Sequence, residues 1–184
     1  MDREPRSLHG FLKYLGLIAA CAAVLSAESP EPVNEYQVKA AFVYNFARFV
    51  TWPEHAFKNT SDPISICVLG EDQFHGALER AIAGKTVEGR PFKVRHLNAV
   101  ESGCNCHILF VSRSGLERFR AISEELKSSS VLTVGESPGF ATNGGVINFK
   151  PNRGMIRFEI NINTAEEERL HISSKLLSLS EIVK

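Results

Sequence analysis

The chain carries no surplus of charge: 21 Lys and Arg are matched by 21 Asp and Glu across 184 residues. Nucleic acid and anionic membranes are met by a basic excess, so no nucleic-acid partner is indicated. Long apolar runs are missing too. The greasiest stretch, residues 14–25, falls short of the ~20 residues that span a bilayer. There is no internal repeat and no low-complexity tract. Cysteine is scarce, four in all, and nothing shows the paired C-x2–4-C spacing of a structural zinc site.

What is present begins with an addressed N-terminus. Arg3, Arg6 and Lys13 lead into the apolar run, and the small residues Ser26 and Ala27 close it, the layout of a signal peptide over residues 1–27. Ile18-Ala19-Ala20-Cys21 offers a second reading, a lipobox that ends the signal before Cys21 and leaves that residue lipid-anchored. Either way the expected location is the periplasm. The signal holds three basic and two acidic side chains, which leaves 18 against 19 in the remaining 157 residues. That length suits one domain with a real core. Cys67, Cys104 and Cys106 remain, and an oxidising compartment favours pairing.

Hydrophobic periodicity then gives the class. Residues 35–51 read as a helix apolar on most faces, capped by Asn34 and stopped by Pro53; Lys39, Asn45 and Arg48 interrupt it. Residues 64–69 and 107–112 are continuous β-rich runs of the kind central parallel strands show. Helices are expected at about 72–83 and from a Ser114 cap to about 127. Strands are expected at 92–97 and 131–134, and a hairpin at 145–149 and 155–161. Thr164 is the expected cap of a last helix running to residue 183. The whole is an α/β fold: a single three-layer domain over residues 35–182, a mostly parallel sheet flanked by helices, with a C-terminal β-hairpin plus helix.

Catalytic signals are weak. Gly135-Glu136-Ser137-Pro138-Gly139 matches G-x-S-x-G, and His171 lies downstream. The elbow needs a backbone N–H after the serine, however, and Pro138 has none. Gly84-Lys85-Thr86 lacks the first glycine of a phosphate loop, since residue 79 is Glu79. Gly70 lacks dinucleotide glycine spacing. Cys104-Asn105-Cys106-His107 falls short of a metal site, and a disulfide from Cys67 to Cys106, with Cys104 as the alternative partner or a free thiol, is the simpler reading. No catalytic residue, metal or cofactor is expected. Arg157 and Glu159 alternate on one strand face with Asn161, either a solvated face or a patch that meets a partner or ligand.

Seven segments, YNFARFVTWP, ISICVLG, CHILFVS, VLTVGES, GGVINF, IRFEIN and ISSKLLSL, follow one another from Tyr44 to Leu179, within a match that spans about Tyr36 to Leu179. In them the chain resembles the YfiR/HmsC-like family of exported bacterial proteins. The resemblance implies a periplasmic, non-catalytic regulator. It would bind the periplasmic part of an inner-membrane signalling protein of the diguanylate cyclase type, lower cyclic di-GMP output and so limit biofilm, with redox tuning through cystine. The family's cystine maps onto Cys67 and Cys106; a further pair around the Gly-Gly hairpin has no counterpart here. Arg157, Glu159, His171 and Lys175 are the candidate partner or ligand surface, and a homodimer is implied. Two alternatives stand beside this. One is a small-molecule sensor serving a histidine kinase or outer-membrane receptor, its ligand near Gly70, Ser112 and Gly135. The other is a serine hydrolase using Ser137.

Overall fold

The computed structural model describes residues 34–99, 105–152 and 155–184. The expected signal, Cys21 and Cys104 lie outside the described residues. Helix α1 (Glu35–Phe49) starts where expected: the Asn34 side chain accepts from Tyr36 N at 2.9 Å. Ala40, Val43, Phe46 and Ala47 form its buried stripe. It stops at Phe49, earlier than expected, because the β-branched pair Val50–Thr51 becomes strand β1. Pro53 disfavours helical backbone at Trp52.

Strand β2 (Ile64–Leu69) is buried at every position. Helix α2 is Ala77–Ile82, shorter than expected, since His75 and Gly76 take left-handed backbone just before it. Strands β3 (Thr86–Val87), β4 (Arg90–Leu97) and β5 (Ile108–Val111) follow. Helix α3 is Leu116–Ile122, and its expected cap serves elsewhere: the Ser114 hydroxyl accepts from Glu71 N at 2.8 Å. Then come β6 (Leu132–Gly135) and the antiparallel pair β7 (Ile147–Asn152) and β8 (Met155–Asn161).

The expected last helix is corrected. Helix α4 (Ile162–Glu167), capped by Asn161 and not Thr164, gives way to strand β9 (His171–Ile172), helix α5 (Ser174–Leu177) and strand β10 (Glu181–Val183). Glu168 turns inward at the break and accepts from Ser128 N and Val131 N. Arg169 adopts a left-handed φ of 56°.

The sheet runs β10-β8-β7-β6-β5-β2-β4-β3. Strands β4, β2, β5, β6 and β7 are mutually parallel, whereas β8 and β3 pair antiparallel. A separate two-stranded ribbon joins β1 to β9. This is an α/β domain with a mostly parallel sheet of eight strands flanked by helices. Ile64, Ile66 and Val68 face α1 and α2 in the larger core. Cys67 and Leu69, on the other face, meet Phe119 of α3 and Phe140 in the smaller one. Aromatic rings lock α1 down, with Phe46 at 5.2 Å from Phe158 and 5.6 Å from Phe149.

Connections leave β2 and β5 toward opposite sides, which puts the topological switch at Gly70 and Ser112. The backbone packs closely there. The Ser112 hydroxyl donates to Leu69 O at 3.1 Å, and a Cβ on Gly115 would strike the same carbonyl. Gly135 lies under the Phe140 ring in the same way. Gly115 and Gly135, beside the place expected for a sensor's ligand, therefore leave no room for a side chain of their own.

Candidate functional site

Two clusters concentrate unusual chemistry. The first is at the amino end of the sheet. Because β2 and β5 are adjacent, His107 N donates to Ser65 O at 2.9 Å, and Cys106 arrives beside Cys67. The two cysteines form a disulfide with Cα atoms 5.8 Å apart. Both are buried in the smaller core. The bridge closes a separation of 39 residues, which in the chain-entropy model stabilises by roughly 3–4 kcal/mol.

His107 extends this site. Its Nδ1 accepts from Ser65 N at 3.1 Å, so Nε2 carries the proton and donates to Ala56 O at 3.0 Å. The ring stacks on Phe57 at 4.3 Å, and Trp52 Nε1 donates to the His107 carbonyl at 3.2 Å. Burial is the main cause holding its pKa below the ordinary value.

The second cluster lies at the carboxyl end. Lys39 and Glu136 are both almost fully buried, their charged atoms 2.6 Å apart. Glu35 meets the same ammonium at 2.5 Å. The Tyr36 hydroxyl donates to the Glu136 carboxylate at 3.1 Å, and Lys39 Nζ sits 4.4 Å over the Tyr36 ring. Burial first, then the Glu136 carboxylate, pushes the Tyr36 pKa up to about 12. This pair ties α1 to the end of β6. Sequence reading missed it: Lys39 stood out only as an interruption of an apolar helix, and Glu136 only as the x of G-x-S-x-G.

The family model described as YfiR/HmsC-like matches residues 36–181. The chain belongs to the YfiR/HmsC-like family. No curated protein matches it. Among solved structures it is similar to the ABC domain in complex with L-Trp from Streptococcus pneumonia, with a TM-score of 0.52 and 10% identity. That likeness covers 78% of this chain and 60% of the other, so the chain spans under two thirds of that protein's length. At this identity the likeness concerns the fold alone.

The remaining candidate residues of this YfiR/HmsC-like domain fall into two groups. Arg157 is exposed on β8, opposite Lys150. Glu159, two residues along, is buried; it accepts from Asn148 Nδ2 at 3.1 Å and meets Lys150 Nζ at 3.2 Å. Lys150 also reaches Glu181 of β10 at 2.9 Å, and these two carboxylates raise its pKa. Glu159 is therefore internal wiring of the β7–β8–β10 edge. His171 and Lys175 are elsewhere, exposed on β9 and α5. His171 pairs with Thr51, and Lys175 Nζ is 5.5 Å over the Phe49 ring.

The serine motif has unsuitable surroundings. Ser137 is buried, Pro138 follows it, and the chain then enters a 3-10 turn, Ala141–Asn143, where an elbow would open a helix.

Proposed function

We propose that this chain is a non-catalytic periplasmic regulator of the YfiR type. Exported by its N-terminal signal, it binds the periplasmic part of an inner-membrane signalling enzyme of the diguanylate cyclase class and lowers cyclic di-GMP output. The observation that carries this reading is the family match over residues 36–181. Three features support it. Among the described residues, no helix is long and apolar enough to cross a membrane. The Cys67–Cys106 bridge suits an oxidising compartment. Arg157, His171 and Lys175 leave exposed polar groups on the β8 edge and the β9–α5 segment, where a partner would dock.

Regulation of this kind needs only a two-state partner, one of whose states the regulator binds better. The test is genetic and physical together. Deleting the gene is expected to raise cyclic di-GMP, and crosslinking in intact cells should capture an inner-membrane protein with a periplasmic segment. An unchanged cyclic di-GMP level, with no membrane partner captured from oxidised or reduced cells, would overturn the proposal. Light scattering on the purified domain reads the homodimer that belongs to the same proposal.

A further inference from the structure

We infer that a cavity at the amino ends of β2 and β5 is a binding site for a phosphate dianion. It measures about 370 Å³, and Lys58, Lys93, Arg95, Ser65, His55 and His107 are among its walls. The fold explains why it is there. Leu69, Cys67 and Ser65 share one face of β2, and their register partners Leu97, Arg95 and Lys93 share the same face of β4. The smaller core covers this face from Leu69 to the Cys67–Cys106 bridge. Ser65 and Lys93, one pleat further along, line the cavity instead.

The charge of this cavity is one-sided. Lys58, Lys93 and Arg95 supply three cations, and among the described residues none of them is ion-paired. Asp62 is the opposing carboxylate, and it is already engaged: Lys58 N and Asn59 N both donate to it at 2.9 Å. Among the described residues the walls therefore carry a net of two positive charges, Lys58, Lys93 and Arg95 against Asp62, in a chain whose net charge is zero. A monocarboxylate would leave one of them unmet, whereas a phosphate dianion answers both. A guanidinium fork and two ammoniums are also the donors phosphate recruits best. His107 contributes a neutral wall and no donor, because Ser65 N and Ala56 O occupy its two ring nitrogens.

The site sits against the bridge, since Arg95 is the register partner of Cys67 and Asn105 also lines the cavity. It goes beyond the regulator reading and does not depend on which membrane partner the chain has. Two sources share the chemistry, free phosphate and a phosphomonoester of a small solute.

Calorimetric titration of the exported, oxidised protein at low ionic strength tests it, with inorganic phosphate and glycerol 3-phosphate as probes and succinate as comparison. Saturable one-to-one binding of a phosphate probe is expected, weakened at least tenfold in Lys93→Gln/Arg95→Gln and in Lys58→Gln. It should be retained in Arg120→Gln, a cation paired with Glu117 on α3. Tighter binding of glycerol 3-phosphate assigns a phosphomonoester; tighter binding of inorganic phosphate assigns the free ion. No saturable heat from either probe, undiminished affinity in the variants, or equal binding of succinate would overturn the assignment.

Discussion

His107 is kept neutral by its neighbours. A second proton would go to Nδ1, which already faces the Ser65 N–H, so the protonated ring would lose that bond and point donor at donor. Burial acts in the same direction, and the pKa lies below the ordinary value. The sign of the pH effect follows. The unfolded chain takes up this proton near pH 6.5, the folded chain only at lower pH. Stability from this group is therefore complete above about pH 6.5 and is lost as pH falls through the lowered folded value. Thermal midpoints should drop on acidification below pH 6.5, and His107→Gln, which cannot titrate, should flatten that part of the profile. An unchanged slope in the variant would assign the acid sensitivity to other groups. In the sequence, His107 shows only as the opening of a buried strand and the end of Cys104-Asn105-Cys106-His107. Its partners Ser65 and Ala56 lie 42 and 51 residues away, and no local pattern carries such distances.

Elements were legible where their own residues decide them. Helix α1 announces itself through Asn34 and its apolar stripe, and β2 and β5 through unbroken β-rich runs. The C-terminal segment was not legible, because neighbours decide it. Its sequence has helical propensity, yet β1 recruits His171–Ile172 as a strand and the β8 edge recruits Glu181–Val183. Ladder bonds on both strands, with the burial of Ile172 on β9, outweigh a few tenths of a kcal/mol per residue of propensity. The Lys39–Glu136 pair acts at this scale too, fixing the first turns of α1 against the end of β6. Removing one partner strands a buried charge; removing both does not. Lys39→Met is expected to destabilise by about 3–5 kcal/mol in chemical denaturation. Lys39→Met/Glu136→Leu should recover most of that loss. If the double variant is as unstable as the single one, the methionine and leucine side chains pack badly and charge is not the cause.

At the scale of the whole molecule, the sequence told the class but not the order of strands. Alternating runs imply a parallel sheet, whereas the placing of β2 between β4 and β5 depends on long-range pairing. That placing is what brings Cys67 to Cys106, and so the cystine is a report on topology. The loop it closes holds the end of β2, then α2, β3 and the whole of β4, and so touches two of the five mutually parallel strands. Domains of this size are stable by about 5–15 kcal/mol, so roughly 3–4 kcal/mol from the bridge is a large share of the total. The same bridge is not the only tie at that end. Six register pairs join β2 to β4 and four join β2 to β5, and none needs the sulfurs. Reduction should therefore lower the denaturation midpoint markedly while leaving far-UV circular dichroism unchanged at low denaturant, and Cys67→Ser/Cys106→Ser should reproduce the reduced behaviour. Identical midpoints with and without reductant would mean that the bridge adds nothing to stability. Loss of the circular dichroism signal on reduction would mean that the sheet cannot hold itself together without it.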